Sequence, residues 1–140
     1  MITIVRIGLL AVGGLTMPLA LGFLLFPARA AARLGLEALG PLGMSTLRGD
    51  FLGIFAILGG TAVYAAIRNR SDVLIVPIIM LAVIIAGRLV SAVLDGSGTA
   101  ALPLIAVEIL MLAVVLLGYR TLPSAQALKA SPAIVRNTAP

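Results

Sequence analysis

The sequence predicts an all-α protein: a four-helix bundle crossing a membrane, with a short amphipathic connector between its first two long helices. Three observations carry that expectation. Hydrophobic residues make up 61% of the 140-residue chain and charged residues 11%, whereas a soluble domain is about half apolar and a quarter charged. The mean hydropathy is +1.22; a soluble fold of this length could not hide so much apolar surface, so lipid takes the place of a water-driven core. The apolar residues also fall into four long runs, separated by segments rich in Arg, Gly, Pro and Ser.

The first run opens with Arg6 and continues from Ile7 to Phe26 without a charge, long enough to cross ~30 Å of hydrocarbon at 1.5 Å per residue. Pro18 lies inside it and is expected to kink it. Arg6 and the Ala28-Arg29-Ala30 triplet also fit a secretory signal peptide with its cleavage site. The uncharged run exceeds an ordinary signal core of about 7 to 15 residues, so a retained first helix is expected.

From Pro27 to Met44 the character changes. Arg29, Arg33 and Glu37 recur every four residues and would line one helical face, while Gly35, Gly40, Pro41 and Gly43 interrupt it. An amphipathic connector at the bilayer surface is expected, with a plain loop and a short helical turn as the alternative. No catalytic role falls to it.

Ser45 is the expected N-cap of the second long helix, running to about Ile67 and ending in the polar turn Arg68-Asn69-Arg70-Ser71-Asp72. Its first turns hold Arg48-Gly49-Asp50, which spells an adhesion motif but sits in a helix rather than an exposed loop. Gly49, Gly53, Ala56 and Gly60 form a small-residue stripe, expected to let a neighbouring helix approach closely. The third helix follows Ser71, tolerates Pro77 in an early turn and runs through Asp95 to a hairpin loop, Gly96-Ser97-Gly98-Thr99. Pro103 suits the first turn of the fourth helix, which ends near Tyr119-Arg120 and carries one internal charge, Glu108. Residues 1–122 thus form one transmembrane domain, and 123–140, with Lys129 and Arg136, a flexible polar tail.

Ten Lys and Arg against five Asp and Glu give +5. The excess sits in flanks and tail, as in cytoplasmic loops of membrane proteins, so no nucleic-acid partner is expected. Arg6, Arg68, Arg70, Arg120, Lys129 and Arg136 fall on one side and chiefly Arg29 and Arg33 on the other, which places both termini in the cytoplasm. The chain has no Cys, His or Trp, which excludes disulfides, thiol nucleophiles, Cys/His zinc sites, His-ligated haem and Ser-His-Asp triads. No metal or cofactor is expected. Acid–base chemistry would fall to Asp, Glu, Tyr, Lys or water, with Arg as a fixed cation.

The candidate site starts from Arg88, Ser91 and Asp95, which share one helical face at i, i+3 and i+7. Counting 1.5 Å per residue, Arg48 and Asp50 lie about 5 to 8 Å inside the outer end, Arg88 about 10 Å and Glu108 about 12 Å. Each isolated charge would cost about 2.5 to 3.5 kcal/mol in the membrane, so pairing across helices is expected: Arg88 with Glu108 or Asp50, and Arg48 with the carboxylate left over. Near the interface Arg48 could instead snorkel to lipid headgroups. Asp95 and Ser91 stand nearer the rim.

At these residues the chain resembles a domain-of-unknown-function family of small four-helix bacterial membrane proteins related to the DoxX-like proteins. The resemblance rests on Arg48-Gly49 at the head of helix two, Gly87-Arg88 with Ser91 and Asp95-Gly96 in helix three, and Glu108 in helix four, and spans about Pro27 to Tyr119. It implies the four-helix architecture and a bacterial inner (cell) membrane, and it carries no activity.

Three functions fit these residues. The first is a protein whose Arg/carboxylate cluster fixes helix registry and binds a lipid, a lipophilic small molecule or a membrane partner. The second is a membrane-embedded acid–base enzyme that isomerises, cyclises or opens an epoxide in a lipophilic substrate. There Glu108 would act as acid or base, Asp50 as the second carboxylate, and Arg48 and Arg88 as stabilisers of negative charge. The third, proton or anion translocation, finds only Tyr64, Tyr119 and scattered Thr along the inner halves of the helices and would need a homo-oligomer to supply a path.

Overall fold

Every described segment of the computed structural model, residues 2–96 and 98–124, is helix, turn or short connection. Helix α1 spans Ile2–Leu25 and α2 Pro27–Ala32; α3, Gly40–Thr46, runs through a π-helical turn, Leu47–Phe51, into α4, Leu52–Arg68, without a break. After a 3₁₀ turn, Asp72–Leu74, come α5, Ile75–Leu94, and α6, Gly98–Thr121. Among the described residues four segments are long and apolar enough to cross a membrane: Ile2–Leu25, Gly40–Arg68, Asp72–Leu94 and Thr99–Thr121. They pack in a ring, α1 on α4, α4 on α5, α5 on α6 and α6 back on α1, so successive spans are antiparallel neighbours, as short connections favour.

Several boundaries differ from expectation for local reasons. The second span begins at Gly40 rather than at a Ser45 cap, because Gly40 (φ +68°) turns the chain and Pro41 presets the first helical turn. The connector helix α2 stops at Ala32, and Gly35 (φ +72°) closes it with the Leu36 amide donating back to the Ala31 carbonyl. Glu37 therefore lies beyond that helix, off any face shared with Arg29 and Arg33. Helix α6 starts at Gly98, which puts Pro103 inside it rather than in its first turn. The proposed tail lies outside the described residues apart from its first two positions.

The close approach of α1 to α4 uses different glycines from the expected stripe. A Cβ on Gly13 would collide with Val63, and one on Gly59 with Thr16 and Met17. At Gly49, Gly53 and Gly60 a Cβ would meet open space. One residue of helix is a turn of about 100°, so Gly59 with the buried Ala62 and Ala66 faces α1 while Gly60 faces outward.

Two core clusters result. The larger, at the end of the bundle that holds Ile2 and Thr121, joins Leu9, Leu58, Ala62, Leu74, Leu81 and Val115 among others from all four spans. A Cβ on Gly118 would stand 2.9 Å from Leu74 Cδ1 and 3.1 Å from Leu9 Cδ1, so no room is left there. Two hydrogen bonds close this end: the Arg6 side chain donates from Nε to the Ala66 carbonyl (2.7 Å), one of those at the end of α4, and the buried Ser71 backbone amide donates to the Pro123 carbonyl (3.0 Å). The smaller cluster lies at the opposite end, where Phe23 stacks on Phe51 (4.8 Å) and Phe55 (5.7 Å), and Ala31 and Leu34 of the connector fold against them.

Candidate functional site

Helix α5 buries fully only Pro77 and Leu81, both within its first two turns. Beyond them Leu89, Val90, Val93 and Leu94 are exposed, and the far half of α5 leaves room between Ile84 and Arg88 and the first two spans. The space between is a cavity of about 270 Å³, reaching from Leu58, Leu81 and Met111 to Phe51, Phe55 and the connector's Leu34. Its lining is apolar except for three side chains: Thr16, Arg88 and Glu108. The Thr16 hydroxyl donates to the Val12 carbonyl of its own helix, which leaves the ion pair as the polar feature of the wall.

Arg88 lies ~9 Å back from the end of α5 and Glu108 ~15 Å into α6, at 1.5 Å per residue. They face each other across the hairpin, and Arg88 Nε–H donates to both Glu108 oxygens, at 2.6 and 2.8 Å. Glu108 keeps 11% of its side chain exposed and Arg88 32%. Of the five N–H donors of a guanidinium, one is spent on this pair. The terminal amino groups of Arg88 find no protein acceptor among the described residues. A balanced charge pair with spare donors beside an apolar cavity can receive an oxygen acceptor at little further electrostatic cost.

The other expected members are placed differently. The Ser91 hydroxyl donates to Asp95 Oδ2 (2.6 Å) at the exposed C-terminal end of α5; this local pair sits at the rim, and neither residue lines the cavity. Arg48 and Asp50 are exposed, lie outside the cavity and form no ion pair among the described residues. Their expected depth is close to that of Arg88, but depth says nothing of azimuth. A π turn places Leu47 inward against the Phe23 cluster and slows the angular advance of the helix. Asp50 then shares the outward side of its helix with Gly49, Ile57 and Tyr64. The Arg68–Asp72 turn, given no role, holds a bidentate pair in which Arg70 donates to Asp72 at 2.6 and 2.7 Å.

Sequence reasoning missed the cavity's aromatic and aliphatic wall: Phe51, Phe55, Leu34, Ile84 and Leu104. Apolar residues in a membrane helix carry no local mark that separates a cavity wall from a packed core. Comparison of the chain with protein-family models, with curated proteins and with solved structures finds no match. The geometry of the site therefore carries the functional reading.

Proposed function

We propose that this chain binds a neutral lipophilic molecule in the interhelical cavity, with a carbonyl or hydroxyl oxygen of that molecule accepting from the terminal amino groups of Arg88. The observation that supports this reading is the cavity of about 270 Å³ whose apolar wall carries one charge-balanced pair with unspent donors. Clefts that are mostly apolar with a few convergent polar groups are the ordinary form of a small-molecule site. Glu108 already neutralises Arg88, which favours a neutral oxygen over a carboxylate: an incoming anion would face the Glu108 charge at low dielectric. The resemblance to the DoxX-like relatives and a bacterial inner membrane with both termini cytoplasmic belong to the same proposal. Arg6, Arg68, Arg70 and Arg120 at one end support that orientation.

An enzymatic reading would rest on Glu108 alone, because Asp50 lies outside the cavity. The test is thermal unfolding of the detergent-solubilised chain with a long-chain methyl ketone, the matching alcohol and the matching carboxylate. The ketone and alcohol should raise the midpoint more than the carboxylate, and Ile84→Trp, which fills the cavity, should abolish the gain. A preference for the carboxylate, or an undiminished gain in Ile84→Trp, would overturn the proposal.

A further inference from the structure

Two arginine-lined grooves lie where α1 gives way to the connector. Arg29 of α2 and Arg48 of the π turn line one open groove of about 360 Å³, together with Phe26, Pro27, Ala28 and Met44. Arg29 also lines an adjoining groove of about 220 Å³, which it shares with Arg33 and Phe26 and which runs along α1 past Gly22, Leu19 and Pro18. The Arg29 guanidinium stands 5.9 Å from the centroid of the Phe26 ring, a cation–π distance that holds it over the mouth of both grooves.

None of Arg29, Arg33 and Arg48 forms an ion pair among the described residues. Two carboxylates stand near them in sequence: Asp50, two residues after Arg48, is exposed and lines neither groove, and Glu37 lines a neighbouring groove that shares Ala28 and Met44 with the first. Position decides the environment: α2 follows the end of the first span directly, so Arg29 and Arg33 stand at the level where lipid headgroups lie, and Arg48, inside the second span, reaches the same groove as Arg29. Guanidinium forks match the geometry of phosphate oxygens. A groove that begins at the arginines and continues as Phe26, Gly22, Leu19 and Pro18 presents an apolar track directly below them.

We infer that Arg29 and Arg48 form a binding site for the phosphodiester headgroup of an anionic phospholipid, with Arg33 beside it and an acyl chain lying along α1 in the Pro18–Gly22 groove. The phosphate chemistry alone would also suit free phosphate. The continuous apolar track is what favours a lipid. This site is independent of the interhelical cavity, which none of the three arginines lines.

Native mass spectrometry of the full chain released from micelles containing phosphatidylglycerol and phosphatidylcholine in equal amounts tests the assignment. An arginine near a membrane surface contributes about fivefold in affinity for anionic lipid, so two should give about 25-fold. Phosphatidylglycerol should be retained over phosphatidylcholine by a factor of that order. The Arg29→Gln/Arg48→Gln double variant should lose the preference, Arg29→Lys/Arg48→Lys should keep much of it, and Arg120→Gln, at the other end of the bundle, should leave it unchanged. Because the substituted side chains are exposed, the variants should unfold at the wild-type temperature. Equal retention of the two lipids, an equal loss in Arg120→Gln, or displacement of the lipid by millimolar inorganic phosphate would overturn the inference, the last in favour of a free-phosphate site.

Discussion

The end of the bundle closed by Arg6 and Ser71 and the end covered by the connector are made from the same Ala-, Leu-, Val- and Gly-rich chain, yet one is filled and the other is hollow. At the first, Gly118 leaves no space between Leu9 and Leu74, and a backbone hydrogen bond ties the turn after α4 to the end of α6. At the second, α5 buries no residue fully beyond Leu81, and a charged pair and a stack of phenylalanines border open volume. Lipid tails are as apolar as leucine, so membrane helices gain from contact only where surfaces fit. Tight fit at one end fixes the bundle, and the other end is free to keep a cavity. That division of labour is what a binding protein of this size needs, because a cavity forgoes packing that must be made up elsewhere.

Substitutions at three places test that contrast. The largest effect is expected at the ion pair: Arg88→Met leaves Glu108 buried without its partner and should destabilise the solubilised protein by about 3 kcal/mol. That is the lower end for a broken buried pair, because Arg88 is partly exposed. Adding Glu108→Leu should restore most of the loss, and a double-mutant cycle read by chemical unfolding in mixed micelles measures the coupling. Additive effects of the two changes would mean the pair is not a unit.

Next in size is the filled side. Gly59→Leu forces a side chain against Thr16 and Met17, and overpacking of this kind costs about 1 to 3 kcal/mol. Gly60→Leu, one position along, projects into open space and should stay within about 0.5 kcal/mol of wild type. Equal losses for the two would contradict the α1–α4 contact. The smallest effect is expected at the cavity wall. Leu104→Ala enlarges a space that already exists and should cost less than about 1 kcal/mol, well under the 2 to 5 of a leucine truncated in a filled core. A larger loss would show that the cavity collapses around Leu104.

The reading of Gly49, Gly53 and Gly60 as a contact stripe, and that of Asp50 as a partner of Arg88 with Arg48 on the remaining carboxylate, failed for one shared reason. Both placed residues by their position along the helix, while a π turn and a choice between two adjacent glycine faces decided which way they point. The pairing of Arg88 with Glu108 was legible because an ionised side chain in a membrane helix needs a partner, and these two stand at compatible depths on helices joined by a short loop. Depth alone left Asp50 as an equal candidate, and the contact across the α5–α6 hairpin decides for Glu108.

What the sequence by itself determined is the all-α class, the four spans and the need for charges to pair, since hydropathy and the cost of an unpaired ion act locally, residue by residue. What the tertiary structure decided is the azimuth of every side chain: which glycines meet, that Asp50 faces away, that Arg48 joins Arg29 beside Phe26, and that a cavity opens next to Arg88. Those depend on how rigid helices of nearly uniform composition fit against one another. Shape complementarity is a property of pairs of surfaces, and no single stretch of chain encodes it.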